Sequence, residues 1–324
     1  MRALIHHTFA EPAAALKVEE VPDPVAGPGE ALVGMTAAAI HNHDLLTVSG
    51  DYGFTPDLPA RSGTEATGTV LAVGEGVTNI AVGQRVAGNA FGAWAEKFVA
   101  RAAGLIPVPD AITDESAAQL LSMPASSLAL LDTLDVREGD WIIQNAAGGA
   151  VGRLVAQFAA SRGINVVGLV RRTDAIAELA DDGITGIVAT DRSDWRDRVA
   201  EITGGAPIVR GVDSVGGSAT GDLLSVLADG ARLTLFGGMG SWGFEGSMND
   251  IIFRGITIDG FWGSKVLPAL GADERTALFG EILTKVASGA IALPVDGSYA
   301  LADIASAVAA HNRTGRVGKV LLRP

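Results

Sequence analysis

Asp140-Trp-Ile-Ile-Gln-Asn-Ala-Ala-Gly-Gly-Ala-Val-Gly152 reads as a strand, a tight glycine-rich turn and the start of a helix. That order suits a phosphate site: glycines let the backbone approach a pyrophosphate, and the first free N–H groups of the helix supply donors and a favourable dipole. The candidate contacts are Gly148, Gly149, Ala150, Val151 and Gly152. The spacing A-x-x-G-x-x-G, from Ala146 through Gly149 to Gly152, departs from the dinucleotide fingerprint G-x-G-x-x-G at its first glycine, so the segment alone fits a plain strand–helix turn as well. Its surroundings favour the dinucleotide reading. Apolar strand runs at 141–146, 165–170, 186–189, 208–213 and 232–236 alternate with amphipathic helices, among them 153–161 and one capped by Asp191 or Ser193 that runs to Thr203. Largely apolar strands in a βαβαβ order predict a doubly wound parallel sheet covered on both faces.

The second strand of that run ends in Val170-Arg171-Arg172-Thr173. An acidic residue usually stands there to hold the ribose hydroxyls of NAD, and two guanidinium groups instead suit the extra phosphate of NADPH. A solvated basic turn is the alternative. Phe236-Gly237-Gly238-Met239 follows the fifth strand, at the sheet edge where ligands bind in such folds, and can line the nicotinamide ribose or simply make a turn.

Upstream, residues 1–110 hold short β-type runs punctuated by Pro and Gly, with almost no helical periodicity. They predict a barrel-like β domain with a long loop from His41 to Arg61. Residues 114–134 read as one helix. Beyond the apolar run 256–261 come helices near 273–288 and 302–312 and a closing strand 317–322, which we read as a return to the first domain.

Composition narrows the function. With 24 Lys and Arg against 37 Asp and Glu, the formal charge of −13 has the wrong sign for nucleic acid or an anionic bilayer. Hydrophobic residues at 48% and charged ones at 19% exclude a disordered chain among the 324 residues. The absence of cysteine removes disulfides, iron–sulfur clusters and thiolate zinc sites. Residues 1–12 lack the apolar core of a secretory leader, and a soluble cytoplasmic protein is expected.

Tyrosine is scarce, at Tyr52 and Tyr299 only. Tyr52 lies in the long first-domain loop, where a phenol can donate a proton, bind a developing oxyanion or anchor the loop. His41 and His43 form an H-x-H pair beside Asp44, but such positions project together on a strand and no third ligand stands at a supporting spacing, so no metal is expected. His6, His7 and His311 read as surface or packing residues. Ser126 and Ser127 lack the G-x-S-x-G context of a hydrolase nucleophile.

Three segments resemble the medium-chain dehydrogenase/reductase superfamily along the whole chain. Gly63-Thr-Glu-Ala-Thr-Gly-Thr-Val70 is similar to its G-H-E-x-x-G-x-V, Val77 to Val86 to its V-x-x-x-x-x-G-x-x-V, and Ala146 to Gly152 to its modified nucleotide turn. Thr64 stands where zinc members have histidine, and their ligand cysteines are absent. The resemblance implies an α/β chain: a GroES-like β-barrel-type catalytic domain over residues 1–122 and 263–324, and a Rossmann doubly wound parallel-sheet domain binding NADPH over 123–262.

Within the superfamily, four stretches are similar to mitochondrial-type 2-enoyl thioester reductases. Gly50-Asp-Tyr-Gly-Phe-Thr-Pro-Asp-Leu-Pro59 resembles G-N-Y-G-x-x-P-x-L-P, Ile143 to Gly152 resembles I-Q-N-A-x-N-S-x-V-G, Phe236 to Met239 resembles Y-G-G-M, and Gly260-Phe-Trp-Gly-Ser264 resembles G-F-W-L-S. The resemblance implies a catalytic Tyr52, an active-site Trp262, and cofactor contacts at Phe236, Gly237, Gly238, Met239, Phe261, Gly263, Ser264 and Lys319. The chain departs at Arg171-Arg172-Thr173, where that family has R-D-R, at Gly148 in place of asparagine, and around Met123-Pro124. The implied reaction is NADPH-dependent reduction of a conjugated C=C–C=O, with quinone reduction or nucleotide binding with little catalysis as alternatives. The implied partners are a small-molecule substrate and a second copy of the chain, joined along the 256–261 run.

Overall fold

The computed structural model describes all 324 residues, which divide into two compact units, Met1–Ser122 with Glu281–Pro324, and Met123–Gly280. In chain order the first holds β1 (Arg2–His6), α1 (Pro12–Ala15), β2 (Lys17–Glu20), β3 (Glu30–Ala39), α2 (Asn42–Ser49), β4 (Ala60–Arg61), β5 (Glu65–Val73), β6 (Arg85–Asn89), β7 (Lys97–Arg101), β8 (Ile106–Pro107) and α3 (Asp114–Ala117). The second holds α4 (Ser122–Thr133), β9 (Trp141–Gln144), α5 (Ala150–Ala160), β10 (Asn165–Val170), α6 (Ala175–Asp181), β11 (Ile187–Ala189), α7 (Trp195–Thr203), β12 (Ile208–Asp213), α8 (Ser218–Val226), β13 (Arg232–Leu235), α9 (Met248–Ile252), β14 (Thr257–Gly260), α10 (Gly263–Ala269) and most of α11 (Ala272–Ala287). The chain then returns to the first unit with β15 (Val295–Ala300), α12 (Ile304–His311) and β16 (Lys319–Arg323).

The second unit carries a six-stranded, wholly parallel sheet in the order β11-β10-β9-β12-β13-β14. The order reverses at β9, the strand that leads into the glycine turn, and in open α/β sheets that switch point is where ligands bind. Ile143, Val167, Leu169, Val188, Ile208 and Leu233 bury within one core, as expected of strands covered on both faces. The first unit is built on a seven-stranded sheet, β15-β16-β3-β5-β6-β8 with β7 also paired to β3, and on a small sheet β2-β1-β4. Trp94, Phe98, Leu4, Leu16 and Ile40 fill its core.

Four expectations from the sequence are corrected. The loop from His41 to Arg61 contains the eight-residue helix α2, with His41 as N-cap, Asp44 accepting the His41 backbone N–H at 2.9 Å, and Gly50 closing it at φ 85°. Its polar first turn, His41 to Asp44, hides the apolar periodicity. The helix expected over 114–134 is split into α3 and α4, because the Leu121 N–H leaves the helical pattern to donate to Glu65 Oε1 at 2.5 Å. The dinucleotide-turn helix begins at Ala150, three residues earlier than the periodicity suggested. The return to the first unit falls at 280/281 instead of 262/263, since α10 stays with the sheet unit: a Cβ on Gly263 would lie 2.8 Å from Ser126 Oγ of α4.

Candidate active site

The site residues fall in two groups, one in each unit. In the sheet unit the turn after β9 is held by Ala147 N–H to Leu169 O (3.1 Å) and Gly149 N–H to Ala146 O (2.8 Å). Ala146, at the place of the missing first glycine, adopts φ 50° in the left-handed region, so the backbone keeps the glycine conformation without the glycine. Gly152 has no such latitude: a Cβ there would meet Ala146 O at 2.7 Å and the Ala147 Cα at 2.8 Å. A Cβ on Gly148 would meet nothing within 4 Å, which leaves open backbone at the tip of the turn.

Gly149 is the N-cap of α5 and makes no side-chain capping bond, so the N–H groups of Ala150, Val151 and Gly152 are presented to a ligand at the start of an eleven-residue helix. Buried Arg153 braces the turn by donating from Nε to Gly148 O (3.0 Å) and pairing with Asp182. An anionic diphosphate fits this cradle. Arg171 and Arg172 are exposed directly after β10, with Arg172 bonded to Asp174 Oδ2 at 3.0 Å and Thr173 held through both its N–H and its hydroxyl by Asp191.

The C-terminal ends of β12 and β13 meet on Asp213. Its fully buried carboxylate accepts from Asn145 Nδ2 (2.6 Å), the Val215 and Gly216 N–H groups (2.8 and 3.0 Å) and the Thr220 hydroxyl. Its carbonyl accepts the Phe236 N–H (2.7 Å), while Asn145 Oδ1 takes the Ser214 N–H (2.7 Å). Asn145 and Asp213 therefore shape the Phe236 to Met239 loop, a role that sequence reasoning missed. The one signal was an acid closing a largely apolar strand. Phe236 stacks on buried Phe261 with centroids 5.8 Å apart. Trp262 is the N-cap of α10, with Lys265 Nζ 5.2 Å from its ring, and Ser264 and Met239 are exposed.

In the β unit, Tyr52 follows the α2 C-cap, half-buried, with its N–H bonded to Leu46 O at 3.1 Å and its ring 5.8 Å from that of His43. His43 in turn stacks on His41 at 5.0 Å and an interplanar angle of 11°. Contrary to the sequence expectation, this H-x-H pair converges at a helix N-terminus. His41 Nε2 lies 2.7 Å from Glu65 Oε2, His43 Nε2 lies 2.8 Å from Thr64 Oγ1, and no group of three or more His, Asp or Glu side chains is placed to hold a metal ion.

The family resemblance implies a cofactor contact at Lys319. It is neither exposed nor idle: its ammonium is buried, 2.9 Å from His41 Nδ1 and 3.4 Å from Ile40 O. Lys319 therefore donates to Nδ1, and the neutral His41 ring donates from Nε2 to Glu65. Burial sets the charges in this chain. It pushes Glu65 up to about 7, pulls Lys319 down to about 8 and His311 to about 3, and holds His41 well below the ordinary imidazole value.

A glycine-turn parallel sheet and a GroES-like β unit in one chain define the class of two-domain, nucleotide-binding dehydrogenases. Residues 27–110 match the alcohol dehydrogenase GroES-like domain model and residues 150–278 the zinc-binding dehydrogenase model. The mitochondrial enoyl-[acyl-carrier-protein] reductase of Bos taurus is 30% identical over 321 residues, covering 97% of this chain and 86% of that protein; its Homo sapiens counterpart is 30% identical over 318 residues, covering 96% and 85%. Among solved structures, the Escherichia coli quinone oxidoreductase complexed with NADPH superposes with a TM-score of 0.90 at 25% identity, and a mycobacterial quinone oxidoreductase with 0.86 at 30%, each over the full length of both chains. The chain belongs to the medium-chain dehydrogenase/reductase family.

Proposed function

We propose that the protein is an NADPH-dependent, zinc-independent reductase of α,β-unsaturated carbonyl compounds, 2-enoyl thioesters included. The observation that carries this reading is Tyr52, a phenol held half-buried at the end of α2 against an ordered histidine pair. Bound NADPH supplies a hydride for the β-carbon. Tyr52 Oη–H then stabilises the negative charge that develops on the carbonyl oxygen and protonates the α-carbon. The N–H groups of Ala150 to Gly152 hold the diphosphate, Arg171 and Arg172 hold the additional phosphate, and the Phe236 to Met239 loop with Phe261, Trp262, Gly263 and Ser264 orients the reactive end. Lys319 acts from a distance, by fixing His41. Zinc independence rests on the donor set: the chain has no thiolate, and the Thr64 hydroxyl is spent on Asp44.

NADPH oxidation followed optically with trans-2-enoyl-CoA and with a simple quinone tests the reading. Enoyl turnover supports it. Turnover of quinones alone selects the second reading, a quinone reductase, which the names of the structural neighbours favour. No turnover with either acceptor refutes both. Replacing Arg171 and Arg172 by Ala is expected to raise KM for NADPH by at least about tenfold while leaving that for NADH nearly unchanged, since each lost charge-assisted bond is worth over 1 kcal/mol. Equal effects on the two cofactors would return the arginines to a solvated turn.

The enzyme acts as a homodimer in the cytoplasm on this reading. β14 is one of the two unpaired edges of the parallel sheet, and the segment before it exposes Trp242, Phe244, Met248, Ile252 and Phe253 at 53–81%. An apolar patch beside an open edge is a liability that a second copy removes. Light scattering is expected to give twice the chain mass for the wild type and the single-chain mass for Phe253→Asp; a monomeric wild type would sink the dimer.

A further inference from the structure

The polar cluster beside Tyr52 contains a hydrogen-bond direction that the proposed reaction does not use. Thr64 has one hydroxyl hydrogen, and it donates it to Asp44 Oδ1 at 2.7 Å. The Thr64 oxygen therefore accepts from His43, whose Nε2 is 2.8 Å away and must carry a hydrogen. Asp44 cannot turn aside, because its other oxygen accepts the His41 backbone N–H at 2.9 Å. With Nε2 committed, Nδ1 is the bare nitrogen of a neutral His43 and the second N–H of a protonated one. The ring is clamped face-on by His41 at 5.0 Å and reaches Tyr52 at 5.8 Å, with 22% of its side chain open to solvent.

We propose that His43 is a second proton-handling residue of the site, which returns a proton through Nδ1 to Tyr52 Oη after each turnover and is held in that role by Thr64 and Asp44. The proposal rests on the reading of Tyr52 as proton donor. In the forward step the Tyr52 O–H bond breaks and a C–H bond forms at the substrate α-carbon. The protonated His43 ring then gives up its Nδ1 hydrogen, Tyr52 Oη–H is restored, and water supplies the next proton to Nδ1 through the solvent-open side of the ring. No oxidant or reductant enters beyond the NADPH of the main reaction. The charged groups around the ring are Asp44, whose Oδ1 lies 3.6 Å from Nε2, and, beyond His41, Glu65 and Lys319. Asp44 is the nearer, and it orients the ring through the Thr64 hydroxyl.

The test uses the full chain with NADPH and the acceptor it turns over. His43→Gln keeps an amide hydrogen for Thr64 but cannot take up a proton. It is expected to lower kcat about 10²-fold with KM for NADPH unchanged. In His43→Ala, added imidazole is expected to restore turnover and pyrazole, similar in shape but a much weaker base, is not. Nitrogen NMR of histidine-labelled wild type, with the His43 signals assigned by their loss in His43→Gln, is expected to show the Nε2–H tautomer in the neutral ring. Turnover of His43→Gln within about twofold of wild type, equal rescue by the two azoles, or an Nδ1–H tautomer overturns the proposal and leaves the functional reading standing. A wild type that turns over neither acceptor overturns the functional reading as well.

Discussion

Tyr52→Phe is expected to lower turnover of an enoyl substrate by about 10²–10⁴-fold, the range for loss of a positioned acid, with NADPH affinity retained. The two effects separate because Tyr52 lies in the β unit, whereas the diphosphate cradle of Gly148 to Gly152 and the Arg171-Arg172 pair lie in the sheet unit. The substitution removes one oxygen and keeps the ring that faces His43, so α2 and its capping bonds survive. Single-turnover rates and a cofactor-binding titration check both halves. A variant with near-normal enoyl turnover removes Tyr52 from the mechanism. Quinone turnover that Tyr52→Phe leaves untouched places the protein among the quinone reductases and gives the phenol a packing role.

The second large effect concerns stability. Lys319→Met is expected to destabilise the protein by about 2 kcal/mol, because it leaves the buried Nδ1 of His41 without its hydrogen-bond donor. Adding Glu65→Gln should recover part of that loss, as coupled neighbours are non-additive. The pH dependence follows from the same groups. Glu65 holds its proton up to about 7 when folded, against 4.5 ordinarily, so stability falls as pH rises from 4.5 to about 7. Lys319 loses its proton at about 8 when folded, against 10.5, so stability is regained as pH rises from about 8 to 10.5. Each step is worth about 3 kcal/mol at 1.36 kcal/mol per pH unit. The wild type should therefore show a Tm minimum between pH 7 and 8 that the Glu65→Gln, Lys319→Met double variant lacks. A double variant with the same minimum would assign it to other groups.

The parallel sheet was legible because fully buried strands must be apolar end to end, and the runs around Ile143, Val167 and Leu233 alternate with amphipathic helices. The turn was legible because close approach of backbone to backbone permits only Gly at 152. Helix α2 was not, for its ends are set by His41, Asp44 and Gly50 rather than by an apolar stripe. The break between α3 and α4 was equally hidden, since the partner of the Leu121 N–H is Glu65, 56 residues away.

By itself, then, the sequence determined the parallel sheet, the nucleotide turn and the pair of arginines at a strand end, while its resemblance to a known family supplied the two-unit α/β architecture and the candidacy of Tyr52. The first three are properties of local pattern: periodicity, glycine, and the charge at a strand end. Tertiary structure decided the rest. It placed Lys319, at the start of β16, as a buried cation on His41, and turned the H-x-H pair from a weak metal motif into a stack beside Tyr52. It also made Asp213 and Asn145 the scaffold of the cofactor loop. The physical reason is common to all three. A buried polar group takes its role from the partners that replace water around it, and those partners, Glu65, Thr64, Lys319 and Asp213, come from strands far apart in the chain.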